Sequence, residues 1–136
     1  MHVTLVTLSG TRYDDVAKEV RLATPNGAMV VLPYHEPMTA VTTAGAVIIV
    51  DKVGEEEVFA SYGGLMEVSE NSVRLLLDEA DHARDLVEEE IKEALESAIQ
   101  LKAKAKDQTE LTEAQRLIDR HEVRLGVAQL RRKTRR

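Results

Sequence analysis

A change of rhythm at Asp78 constrains this chain more than any single motif. Upstream lie short runs rich in Val, Ile and Leu: "HVTLVTL", "EVRLA", "AMVVL", "AVIIV", "EVFAS", "LMEVS" and "SVRLLL". Turn residues punctuate them at Ser9-Gly10, Pro25-Asn26-Gly27, Ala44-Gly45, Gly54, Gly63-Gly64 and Glu70-Asn71. Short strands at this spacing predict an antiparallel β-sandwich or barrel. "NSVRLLLD" places Val73, Leu75 and Leu77 on one face, the period-two signature of a half-buried strand. Downstream, Gly and Pro vanish until Gly126, and Glu, Lys, Ala and Leu dominate, all good helix formers.

Asp85 followed by Glu88 fits a capping box opening a first helix. From there Val87, Ile91, Ala94 or Leu95, and Ala98 form one apolar stripe. "KAKDQTE" interrupts it, and a second helix is expected from about Thr109, with Leu111, Ala114, Ile118, Leu125 and Ala128 on one side. Two helices joined by a few polar residues make an antiparallel hairpin. The expected architecture is therefore β + α: an N-terminal antiparallel β-sandwich over residues 1–84 and a C-terminal antiparallel two-helix hairpin over 85–136.

Composition narrows the function. Of the 136 residues, 3% are aromatic and the net charge is −6, which argues against stacked single strands and against a phosphate-binding surface. No nucleic-acid partner is expected. There are no cysteines, so disulfides and thiolate zinc sites are out. No apolar run approaches ~18 residues, so no membrane insertion is expected, and "MHVTLVTLSG" lacks the pattern of a signal peptide. The charge is unevenly spread. Glu79 to Glu96 holds eight acids against Arg84 and Lys92, whereas Arg120 to Arg136 holds seven bases against Glu122. Such a division suggests an electrostatic partner for at least one end, set against the plainer reading of two solvated helix faces.

An enzyme would need a nucleophile, a tuned acid or base, or a metal. His2, His35, His82 and His121 are the candidates, but no HExxH, GxSxG or GxxxxGK[ST] accompanies them. His35 and Glu36 are neighbours whose side chains would diverge in a strand, and His82 with Asp78 would share a helix face only as an isolated pair. No catalytic residue, metal ligand or cofactor is assigned. The two prolines of "LPYHEPM" say more. Pro33 and Pro37 each lack an N–H and favour an extended preceding residue, so this stretch is an edge or a crossing between sheets that presents Tyr34, His35 and Glu36.

"NGAMVVLPYHEPMTAVTTAGAVII" resembles the glycine, apolar run, Leu-Pro-x-His-x-Pro and x-x-G-x-x-x-I pattern of the epsilon subunit of F-type ATP synthases. "EEEVFASYGGLMEVSENSVRLLLDEAD" is similar to that family's second signature, and "RLGVAQL" to the close of its two-helix tail. The resemblance covers essentially the whole chain. It implies a non-catalytic rotor subunit of the central stalk, whose sandwich is held by the gamma subunit and rests on the c-ring. It further implies a helical hairpin that folds down or extends along gamma into the catalytic alpha/beta head to inhibit ATP hydrolysis. It implies no cofactor, and a peripheral location on the cytoplasmic face of the inner or plasma membrane, or the equivalent organelle side. Contacts with gamma and the c-ring would fall on Asn26, Gly27, Tyr34, His35 and Glu36. The regulatory basic tail would be Arg120, Arg124, Arg131, Arg132 and Lys133.

The chain departs from the family pattern in three places. Val30 stands where a second glycine is usual, and Tyr34 where a small or amide residue is preferred. An Ile/Leu-Asp-x-x-Arg-Ala motif that helps bind ATP in many bacterial relatives reads Leu86-Val87-Glu88-Glu89-Glu90-Ile91. Three acids opening a helix repel a triphosphate, so no ATP binding of that kind is expected. Two other readings stand beside this one: a free-standing adaptor with the same architecture, and a small hydrolase built on His35 and nearby acids.

Overall fold

In the computed structural model, residues 1–134 are described, with side chains up to Arg131. They form two compact units, Met1–Ala83 and a second from Arg84 on. The first unit contains nine strands: β1 His2–Thr7, β2 Gly10–Thr24, β3 Gly27–Val31, β4 Met38–Thr42, β5 Gly45–Asp51, β6 Glu56–Ser61, β7 Gly64–Ser69, β8 Ser72–Leu77 and β9 Ala80–His82. A short 3-10 turn at Ala83–Asp85 spans the boundary, and the second unit holds α1 Glu88–Ala103 and α2 Gln108–Thr134.

The strands make the expected sandwich, and β2 joins its layers. The first half of β2 pairs with β1, and its second half pairs with β5 and β3. One layer runs β4-β7-β8-β1-β2 and the other β3-β2-β5-β6-β9. Register shifts where β2 meets β1 and again where it meets β5 mark bulges near Arg12 and Lys18, which bend a 15-residue strand from one layer to the next. The sequence reading found only the "EVRLA" part of it. β4 and β9 were not foreseen either, and pairing is antiparallel except between β1 and β8, which run parallel.

Both layers contribute to one core. Val3, Leu5, Met66, Val73 and Leu75 face Val20, Val31, Val47, Ile49 and Phe59, all essentially without solvent contact. The β8 alternation is as read: Val73, Leu75 and Leu77 are buried. At the start of β7 the chain passes so close to β8 that a Cβ on Gly64 would sit 2.2 Å from the Leu76 carbonyl oxygen. Only glycine fits there.

The helical unit differs from expectation at its start. Asp85 belongs to the 3-10 turn, and Val87, extended and without a side-chain cap bond, precedes the first helical residue. Leu86 is buried while Val87 is exposed. Burying a leucine is worth ~1.5–3 kcal/mol and a good N-cap ~1 kcal/mol, so the chain satisfies Leu86 at the expense of the cap. A side-chain N-cap does exist, one helix later, at Asp107, with Glu110 reaching back past it. Asp107 Oδ1 accepts from the Glu110 N–H at 2.8 Å, and Glu110 Oε2 accepts from the Lys106 N–H at 2.8 Å. Ile91 and Ala98 of α1 and Ala114, Ile118 and Ala128 of α2 are buried as the stripes require, joined by Val127.

Candidate functional site

The Leu32–Pro37 connection links an edge strand of one layer, β3, to an edge strand of the other, β4. Its conformation follows from its residues. The His35 N–H donates to the Leu32 carbonyl at 3.2 Å, closing a four-residue turn with Pro33 second and Tyr34 third. Pro33 supplies the fixed φ that the second position wants. Tyr34 sits in the left-handed region at φ 65°, where such turns normally place Gly or Asn. Val30, by contrast, lies in regular β3 opposite Arg21 and carries no positive φ. The glycine-demanding position is therefore Tyr34, and the Val30 departure leaves the local path undisturbed.

A neighbouring turn holds this strained residue. Between β7 and β8, Glu70 and Asn71 both have positive φ, the pattern of a tight two-residue hairpin turn. The Asn71 side-chain oxygen accepts from the Tyr34 N–H at 2.9 Å, while its backbone carbonyl accepts from the His2 N–H at 3.2 Å. Asn71 thus fastens the corner to the start of β1. The sequence showed Asn71 as a turn residue and nothing more, because its partner lies 37 positions away.

Tyr34 is 84% exposed and Leu32 52%, so the corner presents a phenol ring and an aliphatic side chain to solvent. His35 is half-buried, and its Nδ1 bonds the Glu36 backbone carbonyl at 2.8 Å. A carbonyl oxygen only accepts, so Nδ1 is the donor in this bond. The ring is braced by the main chain of its own loop. Asn26 and Gly27 lie elsewhere: they form the β2–β3 turn, where Thr24 Oγ1 donates to the Gly27 carbonyl at 2.8 Å. Gly27 opens β3 and the corner follows its far end, about 17 Å away at strand rise. Tyr34, His35 and Glu36 share one corner, and Asn26 with Gly27 belongs to the opposite end of β3.

The other histidines have separate surroundings. His2 Nε2 is 2.5 Å from Asp14 Oδ1 across β1 and β2, in an exposed pair. His82 is on β9, not on a helix with Asp78, and pairs with Glu57 of β6. His121 lies on α2 beside Arg124, and burial, then the positive charges of Arg124 and Arg120, push its pKa below the ordinary imidazole value. Arg120, Arg124 and Arg131 are half-buried, while the side chains of Arg132 and Lys133 lie outside the described residues. At the start of α1, Lys92 approaches Glu88 at 3.4 Å and Glu89 at 3.9 Å, and Val87 and Glu90 occupy the positions noted above. Among the described residues no helix is long and apolar enough to cross a membrane.

The fold is thus a β-sandwich domain followed by two helices, with a corner at Tyr34 that is stiffened by Asn71 and exposed to solvent. Residues 1–83 match the family model for the beta-sandwich domain of the ATP synthase delta/epsilon chain. The chain is 31% identical over 130 residues to the ATP synthase epsilon chain of Latilactobacillus sakei, covering 92% of this chain and 90% of that one. It is 32% identical over 108 residues to the corresponding protein of Xanthomonas campestris, covering 79% and 77%. The chain belongs to the ATP synthase epsilon-chain family. Its fold is similar to that of a chain in the Euglena gracilis mitochondrial ATP synthase structure containing OSCP, F1 and c-ring, with a TM-score of 0.73 at 19% identity over 98% of this chain and 80% of that one. A chain of the central stalk and c-ring structure from Tetrahymena thermophila is similar at a TM-score of 0.53, with 19% identity over 63% and 69%.

Proposed function

We propose that this chain is a non-catalytic rotor subunit of an F-type ATP synthase. Its sandwich, residues 1–84, seats on the gamma subunit and the c-ring, and its hairpin, residues 85–136, restrains ATP hydrolysis. The observation that carries the seating is the Leu32–Pro37 corner. A non-glycine residue at φ 65° is retained with its ring in solvent, and Asn71 holds it in place. Strain of ~1–3 kcal/mol kept at an exposed position fits a contact made with another chain. Tyr34, His35 and Glu36 form that contact, and Asn26 with Gly27 offers a second one at the other end of β3. On this reading the chain is peripheral to the membrane and reaches it through the ring.

The hairpin reading rests on charge. Arg120, Arg124 and Arg131, followed in sequence by Arg132 and Lys133, offer α2 to acidic segments of the catalytic alpha/beta head. Individual exposed pairs contribute ~0.2–1 kcal/mol, so several act together to shift a conformational equilibrium of a few kcal/mol. No cofactor is part of this reading.

Reconstitution tests both parts. Gamma, the c-ring and the catalytic alpha/beta head are assembled with the wild-type chain, with Tyr34→Ala, or with a chain ending at Gln129, and assembly and ATP hydrolysis are measured. Loss of binding is expected for Tyr34→Ala alone, and raised hydrolysis with intact assembly for the truncation. Wild-type chain that binds neither gamma nor the ring would overturn the seating. Unchanged hydrolysis at low ionic strength would overturn the regulation.

A further inference from the structure

The chain has two asparagines, Asn26 and Asn71, and both sit in hairpin turns. Their side chains are held very differently. The Asn71 Oδ1 accepts from the Tyr34 N–H at 2.9 Å, its carbonyl accepts from the His2 N–H at 3.2 Å, and Ser72, the next residue, already belongs to β8. Among the described residues nothing bonds the Asn26 carboxamide; only its backbone N–H is engaged, with Thr24 Oγ1 at 3.2 Å. Pro25, Asn26, Gly27 and Ala28 are exposed in succession. Gly27 has φ 115°, and no atom lies within 4 Å of the place where a Cβ would stand. An unhindered backbone nitrogen thus follows a free side-chain amide at a hairpin tip.

We propose that Asn26–Gly27 is a site of spontaneous deamidation, which turns a neutral hairpin tip into an anionic one without an enzyme. The Gly27 nitrogen gives its proton to solvent and bonds the Asn26 Cγ. The Cγ–Nδ2 bond breaks, and Nδ2 takes a proton from solvent and leaves as ammonia. Water then opens the cyclic imide. Breaking the bond from Cγ to the Gly27 nitrogen restores the backbone, with aspartate at position 26. Breaking the bond from the backbone carbonyl carbon to that nitrogen carries the main chain through Cβ, as isoaspartate. In sum, asparagine and water give a carboxylate and ammonium. The fold opposes this only at the end of a ladder. Thr24 and Gly27 are the last pair between β2 and β3, and the Thr24 hydroxyl latches them, accepting from the Asn26 N–H and donating to the Gly27 carbonyl at 2.8 Å. Fraying of that terminal pair, among exposed residues, frees the Gly27 N–H. The site goes beyond the stalk reading and holds whichever partner the turn meets.

Incubation of the full folded chain at mildly alkaline pH, followed by tryptic mass spectrometry, tests it. Trypsin separates the two asparagines, because Arg21, Lys52 and Arg74 place Asn26 in the peptide Leu22–Lys52 and Asn71 in Val53–Arg74. The mass gain of NH2 replaced by OH should build up in the first peptide about tenfold faster than in the second, as aspartate and isoaspartate forms that chromatography resolves. In urea the difference should narrow as Asn71 is released. Thr24→Val removes the latch and should quicken the reaction at Asn26 severalfold while Asn71 keeps its rate. If that variant fails to fold, the wild-type comparison decides alone. A folded wild-type chain whose Asn26 reacts no faster than Asn71, yet reacts readily in urea, would show the turn to be locked and would overturn the proposal.

Discussion

Replacing Tyr34 by glycine should stabilise the sandwich, and replacing Val30 by glycine should weaken it, although family resemblance asks for a small residue at both. Tyr34 has φ 65°, a conformation that costs an L-residue ~1–2 kcal/mol. With the ring 84% exposed, little burial is lost on removing it. Glycine adds freedom to the unfolded chain at a cost of ~0.5–1 kcal/mol, leaving a net gain of ~0.5–1 kcal/mol. For a domain of this size that raises Tm by ~2–8 °C. Val30 sits in regular β3, paired with Arg21 and 48% exposed. There glycine relieves nothing, and the lost strand preference and packing lower stability by ~1–2 kcal/mol. Urea unfolding of the full chain, followed by the sheet signal in circular dichroism, reads both changes. Binding to gamma and the c-ring should fall in the Tyr34→Gly protein even as stability rises, the usual exchange at a functional position. A Tyr34→Gly protein less stable than wild type would refute the strain argument outright.

Asn71→Ala removes the acceptor of the Tyr34 N–H and places alanine at φ 57°, so a loss of ~1–3 kcal/mol is expected in the same unfolding assay, together with faster exchange of the Tyr34 amide. The lowered pKa of His121 has a definite sign. The folded chain prefers the neutral ring, so its contribution is full above the ordinary imidazole value of ~6.5 and is lost as pH falls through the lowered one. Helix stability measured between pH 8 and 5 should therefore decline on acidification, and His121→Gln should flatten that decline. Calorimetric titration with ATP should show no saturable binding up to millimolar concentration, because Val87 and Glu90 stand where the family's nucleotide motif has Asp and Arg. Micromolar binding would contradict it.

The parts legible in the sequence are those whose burial follows one period. β8 alternates cleanly because one of its faces meets the core and the other does not, and the stripes of α1 and α2 could be read for the same reason. β2 could not be read. It serves two layers, bulges twice and leaves the consecutive Asp14 and Asp15 exposed along with Arg12 and Lys18, so no single period runs through it. A helix face shared by His82 and Asp78 is one option at the boundary where helix formers begin, whereas the structure pairs His82 with Glu57, 25 positions upstream. The prolines located the exposed corner correctly, since their effect on the backbone is local. What braces the corner was invisible, because Asn71 acts across the fold. Tyr34 appeared merely as a departure from a pattern, and only its φ shows that the departure is strained.

The two units are also held together by different means, which bears on how each could serve a rotor. The sandwich buries Phe59, Met66, Ile49, Leu5 and Leu75 in one continuous core. The hairpin relies on Ile91, Ile118 and Val127 among Ala98, Ala114 and Ala128, while Ile99, Leu101 and Leu117 remain exposed. An alanine removes far less apolar area from water than a leucine or phenylalanine, and stability from burial scales with that area at ~25 cal/mol per Å². Local opening free energies should therefore be lower throughout α1 and α2 than in β1, β5 and β8. On the proposed seating a rotor contact has to keep its shape under load, and the corner at Tyr34 is fastened to the unit with the larger core. On the proposed regulation the hairpin has to give up its packing cheaply when it changes position, and an alanine-rich interface suits that.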